Sequence, residues 1–230
     1  MKKLLVLLVL VMALGFSCKK KEAPAKSVEP STEEPSGSSA VEPSPVPSGA
    51  WTFEMGALRQ DGTGGTAITY VDGRNRRMDQ YEGVGKDKKL KIITISTPEA
   101  SWVLTVENKT GTKMPAEETA DEQPQSAPTL PKWSEVVENV SKDPGISTSK
   151  KGMEKWEGAD YTVYHLSHPA RKAEVDYYVD SKDEIKRIVS YDSNGRVMED
   201  VRMDLKFGPL PADTFKPPSD YQIKEMGTMK

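Results

Sequence analysis

The chain has 230 residues, with 32 Lys and Arg against 35 Asp and Glu, a formal charge of −3, and a single cysteine. This mildly acidic balance argues against nucleic acid as a partner, because phosphate binding needs a basic face. One cysteine excludes any intramolecular disulfide, whatever the redox compartment.

Lys2 and Lys3 precede an unbroken apolar run over residues 4–16. Thirteen residues suit the hydrophobic core of a secretory signal and fall short of the ~20 that a membrane-spanning helix requires. The run ends in Leu14-Gly15-Phe16-Ser17-Cys18, and Cys18 is the only cysteine. This segment resembles the lipobox of bacterial lipoproteins, whose cysteine is acylated and becomes the new N-terminus after cleavage. It departs from that pattern at Gly15, where Leu is usual, and at the bulky Phe16. An ordinary cleaved signal is the plainer alternative. Residues 1–17 are thus expected to be a lipoprotein signal peptide. The acylated Cys18 would anchor the chain in the cell envelope, at the outer membrane and facing the periplasm. Loss of Lys2 and Lys3 with the signal takes the charge from −3 to −5. Lys19-Lys20-Lys21, beside the anchor, would favour anionic headgroups at ~1 kcal/mol each, or simply begin a solvated linker.

Residues 18–49 read as a tether. Six prolines (24, 30, 35, 43, 45, 47), many Ser and Glu, and no aromatic residue leave too little apolar surface to offset ordering entropy. At ~3.1 Å per residue, the thirty-one residues 19–49, fully extended, could hold a domain roughly 96 Å from the bilayer.

Residues 50–230 form one domain-sized block, written mainly in strands. Gln60-Asp61-Gly62-Thr63-Gly64-Gly65 reads as a loose hairpin turn. Strands over 66–71 and 74–81 flank Asp72-Gly73, and strands over 90–96 and 101–106 flank the turn at 97–100. The acidic, proline-bearing stretch between Pro115 and Pro131 reads as a mobile loop. Trp133, Val136, Val137 and Val140 then recur at i, i+3, i+4 and i+7, with Ser134 available as N-cap and Pro144-Gly145 as the stop. Strands return over 161–166 and 173–179, around His168-Pro169, and over 184–191 and 196–206, around Asn194-Gly195. Short connections make neighbours antiparallel, so the class is mainly β (α+β), a meander with one short helix.

Catalytic signals are sparse. His165 and His168 point to opposite faces of a strand, which suits no shared metal. Asp192-Ser193-Asn194-Gly195 imitates the start of a calcium loop, but Met203 stands where the bidentate Glu should be. No nucleophile elbow, zinc motif or phosphate loop is present. The sequence therefore implies no enzyme, no metal and no cofactor. An enzymatic reading would need His165 or His168 to converge with buried carboxylates.

Four segments, in order, resemble the LolA/LolB-like lipoprotein-sorting superfamily. Tyr70-Val71-Asp72-Gly73-Arg74-Asn75-Arg76-Arg77-Met78-Asp79 is similar to its "strand, Gly turn, basic-basic-Met-acidic" hairpin. Gly152, Glu154, Gly158 and Tyr164 match the spacing that opens its second half. Tyr177-Tyr178-Val179-Asp180 with Ile185-Lys186-Arg187-Ile188, and the ending from Leu210 to Tyr221, complete the series. The resemblance implies an incomplete antiparallel β-barrel around an apolar cavity, a helix over its open side, and a hydrophobic ligand, lipid-like or a lipoprotein. Two departures weaken a shuttle role: the carriers' N-terminal helix is missing, and Cys18 predicts an anchored protein. On this reading Tyr70, Met78, Tyr81, Trp102, Trp133, Val137, Tyr164 and Tyr178 are candidates for the cavity wall or lid. Two alternatives remain. These side chains could simply be core, or the protein could be an envelope adaptor or sensor with a filled interior.

Cys18→Ala should leave the protein either unprocessed or released in soluble form. Fractionation with intact-mass measurement checks this; a mature-mass mutant still in the membrane fraction excludes the anchor.

Overall fold

A computed structural model describes residues 49–116 and 126–226. The expected signal, Cys18 and tether lie outside these residues, as does most of the stretch between Pro115 and Pro131.

Twelve strands form one sheet: β1 (Trp51–Arg59), β2 (Gly64–Asp72), β3 (Asn75–Glu82), β4 (Lys89–Ser96), β5 (Ala100–Thr105), β6 (Thr110–Pro115), β7 (Ser147–Trp156), β8 (Ala159–His168), β9 (Ala173–Val179), β10 (Ile185–Tyr191), β11 (Val197–Phe207) and β12 (Gln222–Glu225). Their order is β12-β6-β5-β4-β3-β2-β1-β11-β10-β9-β8-β7. Two hairpin meanders, β1–β6 and β7–β11, are zipped together by antiparallel pairing of β1 with β11, from Trp51↔Phe207 to Arg59↔Glu199. The outermost strands β12 and β7 are not paired to each other, so the sheet stays open.

The hairpin signals place the turns, with local slips. Asp72 pairs with Asn75, which makes Gly73-Arg74 the turn residues rather than Asp72-Gly73, and Gly73 takes φ +60°, where a side chain is strained. At the second signal the Asp192 carboxylate accepts from the backbone N–H of Asn194 (2.8 Å) and Arg196 (2.9 Å), an Asx turn. Four strands are not among the expected ones: β1, implied only by the hairpin turn that follows it, and β6, β7 and β12, which have no signal in the residue pattern. β6 and β7 are polar, Gly-containing strands near the sheet's margins, and the short β12 departs from the all-antiparallel expectation by pairing parallel to β6. β6 is drawn tightly to β5, since a Cβ on Gly111 would fall 2.4 Å from Leu104 Cδ2.

Because side chains alternate along each strand, the register assigns every residue to one of two faces. Helix α1 (Trp133–Val140) covers one face of the second meander only. Leu130, Trp133 and Val136 pack there on Leu166, Tyr177, Val179, Ile185 and Met203, with Phe53 and Leu205 at the margin. The C-terminal segment covers the opposite face of the first meander, where Phe215, Tyr221 and Ile223 lie against Ile93, Ile95, Leu104 and Trp102. The two covers sit diagonally, so each meander keeps one face without a covering segment; on the second that face closes over Val163, Tyr178 and Val189 with its own aromatic side chains, and on the first Trp51 and Val71 are buried.

α1 is packed more firmly than a mobile lid would be. Trp133 is 7% exposed and Val136 8%, and the Trp133 ring stacks on Tyr164 at 4.4 Å and tilts against Tyr177 at 5.4 Å. Each such burial contributes about 1.5–3 kcal/mol. Ser134 is not the N-cap. Lys132 holds that position without a side-chain bond, and the cap comes from the β9–β10 turn. The Asp183 carbonyl accepts from Trp133 N (3.0 Å), and its carboxylate accepts from Ser134 N (3.2 Å) and Ser134 Oγ (2.6 Å). Ile185 N donates to Pro131 O (2.9 Å) just before the helix. Asp183 makes these contacts from φ +67°, a conformation that costs a non-glycine residue about 1–3 kcal/mol and persists because its surroundings hold it.

Asp183→Ala should destabilise the domain by about 1–2 kcal/mol through loss of the cap. Val136→Asp should cost several-fold more than Val137→Asp, because Val137 is 36% exposed. Chemical denaturation of the three variants checks the order; equal losses at Val136 and Val137 would contradict the packing described.

Candidate ligand-binding face

The bare face of the first meander lies on the same side as α1. Its residues form three rows running across β1 to β6. One row is Phe53, Thr69, Met78, Thr94, Val103 and Thr112; a second is Met55, Ala67, Gln80, Ile92, Thr105 and Thr110. The third is Trp51, Val71, Arg76, Ser96, Ser101 and Met114. Arg76 is the one charge among these eighteen positions, although 29% of the chain is charged and about five would be expected. The surface is partly open: Met55 is 40% exposed and Val103 39%, whereas Trp51 and Val71 in the third row are buried. At ~4.8 Å between strands, the six-strand band runs about 24 Å.

The bare face of the second meander is built differently. Asp176 is buried, and its carboxylate accepts from Lys151 Nζ, His165 Nδ1 and Tyr191 OH, each at 2.8 Å. A bulge between Lys150 and Gly152 accompanies the reach of Lys151 inward from edge strand β7. Arg187 grips Asp200 with two bonds (2.8 and 3.0 Å), and Arg202 adds a third (3.0 Å) while also holding Glu157 (3.1 Å). Both guanidinium groups stand over Trp156, at 5.2 and 5.5 Å. Burial would raise the Asp176 and Asp200 carboxyls, but these donors and cations outweigh it and hold both below the usual carboxylate value. Burial and the bond to Glu154 push Tyr178 up to about 12. Apart from Arg202 Nε, which is buried without a hydrogen-bond partner, the polar groups of this network find their partners within it.

A cleft of about 860 Å³ opens on the same side as this ionic network, between the turn at 84–87 and the hairpin from Trp156 to Tyr161. Glu54, Arg202 and Asp204 form part of its lining, where Lys206 pairs with Asp204 at 2.7 Å. The cleft is polar, unlike the apolar cavity that the family resemblance implies, and none of the eight candidate residues lines it.

The structure divides those eight. Met78 lies in the uncharged band. Trp133 and Tyr164 are stacked together beneath α1, and Val137 is on the helix's outer side. Tyr70, Tyr81, Trp102 and Tyr178 occupy the opposite sheet face: Arg77 stands 5.8 Å over Tyr70, Lys88 5.0 Å over Tyr81, Trp102 packs under the C-terminal segment, and Tyr178 OH donates to Glu154 at 2.9 Å. The band also holds Met55, Arg76, Val103 and Met114, which are not among those eight, and of these Val103 and Met114 carry no aromatic or family signal. A period-two count of charge along β3 would have hinted at them, since Arg77 and Asp79 share one face while Met78 and Gln80 share the other.

His165 and His168 do face opposite ways. His165 meets Asp176, and His168 lies 3.8 Å from Asp143. The histidine–carboxylate convergence that an enzyme would need is therefore present at Asp176, but His165, Asp176, Lys151 and Tyr191 all lie outside the cleft lining. The carboxylate ties β7, β8, β9 and β10 together.

No family model and no curated protein matches the chain. Among solved structures it is similar to an uncharacterized conserved protein from Thermus thermophilus (15% identity, TM-score 0.35, 78% of this chain and 91% of that one). It is also similar to an outer membrane lipoprotein-sorting protein domain from Vibrio parahaemolyticus (11%, 0.25, 73% and 89%) and to a LolA superfamily protein from Nitrosomonas europaea (13%, 0.22, 75% and 91%).

The depressed carboxyls at Asp176 and Asp200 contribute stability that is fully present above the unfolded value near 3.8 and lost as pH falls through the lower folded value. Asp200→Asn should cost about 3 kcal/mol at neutral pH, because two arginines lose their shared partner. It should also flatten the stability loss below about pH 4. Denaturation midpoints measured across that range decide it. The open, mainly antiparallel sheet carrying one short helix agrees with the expectation of a mainly β, incomplete barrel.

Proposed function

We propose that this protein is a lipid-anchored envelope protein that holds a hydrophobic ligand, without catalysis, against the uncharged band of β1 to β6. Acylated Cys18 would fix it to the membrane, with the domain facing the periplasm. The observation that supports this reading is the contrast between the two bare quadrants. One is closed over by its own ion pairs and aromatic side chains; the other exposes methionine, valine and threonine in rows with a single charge. A partly open surface with so little charge suits an apolar guest, and methionine adapts to varied ones.

A second reading, an adaptor or sensor acting by protein–protein contact, draws on the side-chain-filled space beneath α1. The two separate experimentally. Full chain carrying Cys18→Ala, extracted with organic solvent and analysed by mass spectrometry, should yield a bound acyl species. Val103→Glu should abolish it while leaving the thermal midpoint nearly unchanged, since Val103 is 39% exposed. No acyl species in the parent, or full retention in Val103→Glu, would favour the adaptor reading.

A further inference from the structure

Arg76 is the one cation on the uncharged face, and its position argues for more than a generic apolar guest. Its side chain belongs to the same face as Met78, two residues along β3, and it pairs across the sheet with Val71 and Ser96. Arg76 is exposed and makes no hydrogen bond or ion pair among the described residues. The adjacent Arg77, on the other face, is bound bidentately to Asp79 at 2.7 and 3.0 Å and donates to the Thr214 carbonyl at 3.2 Å. Two consecutive arginines thus have opposite fates: one is consumed by the fold, the other stands uncompensated beside an apolar strip. One row along the strands from Arg76, the strip runs from Met78 across β4, β5 and β6 through Thr94, Val103 and Thr112, with Met114 at the far end of Arg76's own row, over about 14 Å. No carboxylate interrupts it.

We propose that this face selects a single-chain anionic amphiphile. Its carboxylate or phosphate head meets the Arg76 guanidinium, and its chain lies over Met78, Thr94, Val103 and Thr112. This rests on the band reading above and adds the charge and shape of the ligand. A planar guanidinium takes two oxygens of either head in a fork, which an uncharged sugar head cannot reproduce. Exposed lysine or arginine beside an apolar surface can also be a solvated guard against sheet aggregation, so the test must read charge selection at this site.

Methyl-labelled methionine spectra of the full chain carrying Cys18→Ala are recorded while dodecanoate, dodecyl phosphate or neutral dodecyl maltoside is added. The anions should shift the Met78 and Met114 methyls and bind more tightly than the maltoside. Arg76→Gln should lower the dodecanoate-to-maltoside affinity ratio about fivefold, the scale of a semi-exposed ion pair, and Arg76→Lys should restore most of it. Tighter binding of dodecanoate than of dodecyl phosphate assigns a carboxylate head, and the reverse a phosphate head, on the single-chain ligand. An unchanged ratio in Arg76→Gln overturns the headgroup assignment while leaving the band intact. If none of the three amphiphiles moves Met78 or Met114, the band reading itself fails.

Discussion

The structure depends on one constraint: the apolar side chains of a single sheet must be covered, and the two covering segments lie on opposite faces of its two meanders. α1 covers one side of β8 to β11, while the C-terminal segment covers the other side of β4 to β6. The β1–β11 ladder crosses between these arrangements without a break in register. Diagonal cover leaves two bare quadrants, and a sheet cannot leave both apolar in water. The second meander resolves this with buried carboxylates and cations over aromatic rings. The first does not, and that difference gives the molecule a candidate site.

The same constraint explains why α1 is firm. A helix of eight residues has little stability of its own, so it exists because Trp133 and Val136 enter the second meander's core and because Asp183 supplies the missing cap. The cap lies in the hairpin between β9 and β10, so the helix is bound to the strands it covers. A gate over the first meander would have to come from elsewhere, and the uncharged band depends on no movement of α1.

The ionic quadrant is costly to build, since each buried carboxylate must find several donors. Asp176 collects its donors from three different strands and Asp200 from two. This rigidifies the second meander and draws in the exposed edge strand β7 through Lys151. The rigid half then supports a neighbour whose outward face is free to be apolar.

Local residue patterns by themselves determined the mainly β class, the eight-residue helix from Trp133 to Val140, the hairpin positions near Gly73 and Gly195, and the opposite facing of His165 and His168. Each follows from interactions within a few residues: periodicity, positive φ, and alternation along a strand. Those patterns could not determine which face of an apolar strand is covered. Ile92-Ile93-Thr94-Ile95 reads as apolar on both sides, and only the arrival of Phe215 and Tyr221 from more than a hundred residues away buries Ile93 and Ile95 and leaves Ile92 and Thr94 in the open band. Aromatic residues chosen as one cavity wall were therefore divided between two faces. Likewise, Arg76 and Arg77 are indistinguishable in sequence. Tertiary structure alone decided that Asp79 and Thr214 occupy one and leave the other free, because the alternation of the sheet sets adjacent side chains in different environments.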